Sequence, residues 1–109
     1  MDDQSLRELF EGLGAISIRR MFGGKGIYHQ GLIIALVVQD ELLLKADAES
    51  APAFMEAGSR QWRYNGKKTG KPVAMPYWSV PDNAYDDPEI MTDWARLAFA
   101  ASLRAVLVK

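Results

Sequence analysis

The chain of 109 residues contains no cysteine. That removes disulfides, thiol nucleophiles and every cysteine-ligated metal site. Histidine is nearly absent too, with His29 the only one. One histidine without cysteine cannot build a zinc site, and a serine triad would have to recruit this same residue. No Gly-x-Ser-x-Gly segment marks a nucleophile elbow. No apolar run approaches the roughly 20 residues of a membrane-spanning helix. An excess of one charge is missing as well: 13 basic and 14 acidic residues leave a formal net charge of -1. No global basic field therefore concentrates the chain on nucleic acid, and such binding would need a local patch. The opening residues Met1-Asp2-Asp3-Gln4 are acidic and lead into a helix pattern, not an apolar signal region. The cytoplasm is the default compartment.

What is present is an ordinary globular composition, 49% apolar and 25% charged, sized for one domain over residues 1–109. The organising stretch runs from Arg19 to Asp47. Ile27-Tyr28-His29, Leu32 to Val38 and Glu41 to Lys45 read as strands, separated only by Gln30-Gly31 and Gln39-Asp40. Connections of about two residues cannot cross over a sheet, so these runs pair antiparallel as a meander. The middle run is apolar at every position, which asks for cover on both faces and places Leu36 in a fully buried central strand.

Upstream, Asp2 or Asp3 caps a helix whose Leu6, Leu9, Phe10 and Leu13 form one stripe, ended by Gly12 and Gly14. Ala15 to Phe22 alternates as a first strand. Downstream, Asp47 or Glu49 opens a short helix through Pro52, Phe54 and Met55, closed by Gly58. Arg60 to Tyr64 and Val73 to Val80 make a second hairpin around Asn65-Gly66. Pro76 marks an edge strand or a bulge. Asp87 caps a long helix with Pro88 at its first position, and Met91, Trp94, Ala95, Ala98, Ser102 and Ala105 form its main stripe. The fold class is α+β: a mainly antiparallel sheet, meander plus hairpin, carrying N-terminal, middle and long C-terminal helices.

Two segments are candidates for function. Gly23, Gly24 and Gly26, with Arg19, Arg20 and Lys25, could form a backbone nest for an anion. The turn leads into a strand where phosphate loops lead into a helix, so its structural role is preferred. In the second hairpin Arg60, Arg63, Lys67, Lys68 and Lys71 interleave with Trp62, Tyr64, Tyr77 and Trp78. Basic residues alternating with aromatics suit phosphates and bases, but a solvated turn over core aromatics is the preferred reading. Gly66 to Lys71 fails as a Walker loop, having three residues between its glycines and Pro72 after the lysine. His29 reads as a solvent-facing turn residue, and Asp82, Asp86 and Asp87 as capping and dipole groups. No catalytic residue, metal ligand or cofactor site is assigned.

Arg20-Met21-Phe22-Gly23-Gly24 and Gly26-Ile27-Tyr28 carry a family resemblance. With them go Leu44-Lys45, Pro52-Ala53-Phe54, Ala57-Gly58, Met75, Tyr77-Trp78, Val80-Pro81, Asp87-Pro88 and Trp94-Ala95. Together they resemble the N-terminal domain of the TfoX/Sxy family of competence regulators, over nearly the whole chain. The resemblance implies helices carried on a sheet, and a bacterial, cytoplasmic protein linked to expression of DNA-uptake genes. Full-length members act there with the cyclic-AMP receptor protein and add a C-terminal helical domain, so a stand-alone N-terminal domain is expected. No enzyme activity or cofactor comes with the resemblance. The functional expectation is a non-enzymatic regulatory domain with a protein partner, no membrane and no tight DNA binding by this domain alone. A homodimer, a small anionic ligand or nucleotide at Gly23 to Gly26, and weak nucleic-acid binding by residues 60–71 stay open.

Overall fold

The computed structural model describes residues 1–21, 23–65 and 70–107. Its elements are α1 (Asp3–Leu9), β1 (Ser17–Met21), β2 (Gly24–His29), β3 (Leu32–Val38), β4 (Glu41–Lys45), α2 (Ala51–Glu56), β5 (Gln61–Asn65), β6 (Pro72–Ser79) and α3 (Pro88–Leu107). A single 3-10 turn, Asp82–Ala84, precedes α3. The strands form one antiparallel sheet in the order β1-β2-β3-β4-β6-β5.

The meander follows from its two tight turns. Both central residues of each sit at positive φ, 50° and 80° at Gln30-Gly31 and 50° and 63° at Gln39-Asp40. That is the twist a two-residue hairpin needs. Pairing is regular except between Ile27 and Tyr28, where Ile27 faces Ala35 but Tyr28 faces Ile33. Ile34 is the extra residue of this bulge and joins the core. β6 is an inner strand between β4 and β5, so Pro76 does not mark an edge. It lies instead where the β5–β6 register shifts between Gln61 and Arg63, and the gap is bridged by Gln61 Nε2 donating to the Met75 carbonyl at 3.0 Å.

The N-caps of α1 and α3 are as the sequence indicates, whereas α1 ends at Leu9 with Phe10 as its C-cap, short of Leu13, and α2 is capped by Ser50 instead of Asp47 or Glu49. Asp2 Oδ1 accepts from the Ser5 amide at 2.7 Å, and Asp87 Oδ1 from the Glu89 and Ile90 amides at 2.9 and 3.3 Å. α2 starts from a reciprocal pair in which Ser50 N donates to Asp47 Oδ1 and Asp47 N donates to Ser50 Oγ, both at 3.0 Å. The last turns of α3 are tied to this loop: Arg104 donates to both Asp47 oxygens at 2.6 and 3.0 Å and also meets Glu49 at 3.0 Å. This bidentate contact holds the Asp47 carboxyl well below the usual carboxylate range.

All three helices lie on one face of the sheet. α3 crosses β3 and β4, with Met91, Ala95, Ala98, Ala101 and Ser102 buried. Alanines at these positions let the helix approach the strands closely. Ala105, expected on the apolar stripe, faces solvent at the end of the helix, as does Leu103. Leu6 and Phe10 of α1 join the same cluster, and Phe54 of α2 packs between Trp78 and Trp94 at ring distances of 6.3 and 4.7 Å. Opposing residues on the strands are Ile27, Ala35, Val37, Leu42, Leu44 and Trp78. His29 belongs to this side too. It is 8% exposed, its Nδ1–H donates to the Ala15 carbonyl at 2.8 Å, and its ring meets Phe99 edge-on at 4.9 Å. The solvent-facing reading of His29 is therefore corrected: a helix 70 residues further on covers the strand end.

Candidate interaction face

Among the described residues, no helix lies on the other face of the sheet. Strand alternation assigns its residues, and side-chain contacts agree. Arg19, Gly26, Leu36, Leu43 and Ser79 form one cross-strand row. Beside it run Ser17, Tyr28 and Ile33, with Lys45 and Tyr77 paired on β4 and β6. Leu36 is therefore not the fully buried residue that an all-apolar strand suggests. Leu36, Ile33, Val38, Tyr28 and Met21 are all partly exposed. Leu43, in the middle, is sealed by its neighbours at 2% exposure and lies outside the main core cluster, and Gly26, Tyr77 and Ser79 on the same face are buried as well.

Two cations sit over rings on this face. The Arg19 guanidinium carbon is 5.1 Å from the Tyr28 ring centre, and Lys45 Nζ is 5.3 Å from that of Tyr77. Such contacts attract a cation to the ring face and hold it there. Burial raises the Tyr77 hydroxyl above its ordinary pKa, and nearby Tyr28 adds to the effect. Neither Arg19 nor Lys45 has a carboxylate partner among the described residues. Glu41, at the end of β4, is already bound by Arg60 at 3.1 Å.

The second hairpin divides between the two faces. Trp62 and Tyr64 meet edge-on at 6.2 Å, and Tyr64 pairs with Val73 on the open side. Trp78 points the other way and is a core residue against Phe54. Arg63, opposite Ala74, lines a groove between α2 and the hairpin with Met55, Ala51, Pro76 and Trp78. Arg60 is spent on Glu41, and Lys71 is exposed. Lys67 and Lys68 lie outside the described residues. The hairpin thus places Tyr77 beside Lys45, and sends Arg63 and Trp78 to the other side.

The glycine turn forms a shallow hollow lined by Met1, Arg20, Met21, Gly23, Gly24, Lys25, Val37 and Asp40. Its charges are largely matched. Lys25 Nζ donates to Asp3 Oδ1 at 2.7 Å and to the Met1 carbonyl at 2.9 Å, and the α-amino group pairs with Asp40. The Lys25 hydrogen bond lowers the Asp3 carboxyl from its ordinary pKa, with Arg20 contributing. Arg19 is turned to the opposite face over Tyr28. The glycines themselves answer to packing. Gly23 has φ +77°, and a Cβ at Gly24 would lie 2.2 Å from the Val37 carbonyl oxygen. A Cβ at Gly26 would meet only the Met21 methyl at 2.6 Å and the Tyr28 ring at 3.1 Å. Phe22 lies outside the described residues.

Among the described residues, no group of three or more His, Asp or Glu side chains is placed to hold a metal ion. No helix among them is long and apolar enough to cross a membrane.

Fold and face together define a two-layer α+β domain with one sheet face closed by helices and the other open, apolar and flanked by cations. Within that class, the family model described as TfoX N-terminal domain matches residues 8–102, and the chain belongs to that family, which is associated with competence regulators. A comparison with curated proteins finds no match.

Sequence reasoning did not locate the open face. Part of its signal is there: Lys45 and Tyr77 alternate with the apolar residues Leu42, Leu44, Pro76 and Trp78 of their strands, whereas Arg20 and Lys25 interrupt the same pattern on β1 and β2.

Proposed function

We propose that the chain is a non-enzymatic protein-interaction domain acting in the regulation of DNA-uptake genes in a bacterial cytoplasm. The open sheet face carries this reading. A sheet face bearing Tyr28, Ile33, Leu36 and Val38 at partial exposure is a contiguous apolar surface of the kind that marks a partner site. Membership of the TfoX N-terminal domain family supplies the regulatory context. In the source bacterium, removing the gene should lower transcripts of DNA-uptake genes, and Leu36→Asp should do the same while the protein still accumulates. Unchanged transcripts after gene removal would contradict the regulatory assignment.

The domain alone does not bind DNA tightly. Net charge is -1, Lys25 is held by Asp3, and Arg60 by Glu41. Any contact is non-specific, with a dissociation constant of about 10⁻⁴–10⁻⁶ M at physiological salt. Anisotropy titrations at several salt concentrations measure this, and nanomolar affinity would contradict it.

A further inference from the structure

We infer that the open sheet face receives one amphipathic helix of a different protein. Its apolar stripe lies along Tyr28, Ile33, Leu36 and Val38, and carboxylates on its two flanks meet Arg19 and Lys45. This rests on the reading of the domain as an interaction module, and it adds the occupant and its chemistry.

The dimensions fit a helix. Arg19 is on β1 and Lys45 on β4, three strand spacings apart in the sheet. At about 4.8 Å per spacing that is roughly 14 Å, room for a helix about 10–12 Å across laid along β2 and β3. The helices already on the opposite face bury their stripes against a sheet in this same layered way. The two cations then stand at either edge of the docked helix.

The charges select the occupant. Arg19 and Lys45 have no carboxylate partner among the described residues, and the acids at the margin of the face, Asp40 and Glu41, are engaged by the α-amino group and by Arg60. A second copy of the chain is a poor match, because a two-fold contact would bring the same unpaired cations with no free acid to meet them. Single-stranded nucleic acid is a poor match for another reason. Stacking needs open ring faces, those of Tyr28 and Tyr77 are already covered by Arg19 and Lys45, and the remaining rings on this side, Trp62 and Tyr64, lie on β5 beyond the stretch between the two cations. What the face lacks is carboxylate, presented beside an apolar surface.

The test uses the full chain, isotopically labelled, with a synthetic helical peptide as probe. The peptide carries leucines at i, i+3, i+4 and i+7 repeats, flanked on both sides by glutamates. Its control replaces every glutamate by lysine. Amide shifts should concentrate on Tyr28, Ile33, Leu36 and Val38, and the lysine peptide should bind at least about ten-fold more weakly, about 1.4 kcal/mol. In the Arg19→Glu/Lys45→Glu variant, checked for native dispersion, the preference should reverse in favour of the lysine peptide. Several results would overturn the inference. These are no glutamate-peptide binding at millimolar concentration, equal binding of both peptides, or shifts centred on the Met55–Arg63 groove. Concentration-dependent broadening of the face without peptide would assign it to a second copy, and the same shifts with a single-stranded oligonucleotide would assign it to nucleic acid. Transcript measurements test the regulatory role separately, so a peptide that binds as expected with unchanged transcripts removes the role and keeps the face.

Discussion

On the helix side of β3, Ala35 is completely buried against Leu44 and α3. One residue further along the same strand, Leu36 turns the other way and still meets solvent beside the buried Leu43. The strand is equally apolar on both sides, so hydrophobicity alone does not say which side is core. The difference lies in what the rest of the chain provides. α1, α2 and α3 all bring their stripes to one side, and among the described residues the other is covered by side chains from the strands themselves, such as Met21 over Gly26, Arg19 over Tyr28 and Lys45 over Tyr77. An apolar face without its own helix has kept the composition of a buried surface while remaining available.

That contrast can be broken most severely on the closed side. Phe54 is fully buried between Trp78 and Trp94. Phe54→Ala should cost about 3–5 kcal/mol in urea denaturation, through lost transfer energy and the cavity left behind. A loss below 1 kcal/mol would mean that α2 is not part of the core.

The glycine turn gives a smaller and more local contrast. Gly24→Ala sets a methyl against the Val37 backbone oxygen, which cannot swing away, and should cost about 1–3 kcal/mol. Gly26→Ala pushes chiefly on the Met21 methyl, on the open face where that side chain can move, and should cost less than about 1 kcal/mol. Equal midpoints for the two variants would show that the Met21 side chain is held as firmly as the Val37 backbone.

The clamp between α3 and the loop leading into α2 responds to pH. The native Asp47 carboxyl is held below its ordinary value by Arg104, so the unfolded chain binds the proton more readily. Its contribution is fully present above the unfolded aspartate value of about 3.9 and is lost as pH falls below that toward the lowered native value. Asp47→Asn should therefore be less stable than the parent at pH 7, with the gap closing as denaturation is repeated toward pH 3. A gap independent of pH would remove the charge from the explanation.

Much of this architecture was legible in the sequence. Gln30-Gly31 and Gln39-Asp40 fix the meander, and Asp87-Pro88 fixes the start of the long helix, because each signal acts within a few residues. His29 was misplaced because its cover, Phe99, comes from a distant helix. Pro76 was legible as a bulge but not as part of an inner strand, since pairing of β6 with β4 spans more than 30 residues. The open face was the least legible element. The run Leu32 to Val38 looks the same whether its second cover comes from this chain or from a partner. Glycine spacing likewise suggested an anion nest, while the neutralisation of Lys25 by Asp3 depends on how α1 packs.

The most direct measurement places the same substitution on each side of the sheet. Leu44→Gln buries an amide in the helix-covered core, where Leu44 is fully enclosed, and should cost about 3 kcal/mol or more. Leu36→Gln leaves its amide within reach of water and should cost about 1–1.5 kcal/mol, with the fold retained. Urea midpoints for the two variants, measured side by side with the parent, should separate clearly in that order. Similar large losses for both would show that the second face is closed as well, and the domain would have no open face to offer a partner.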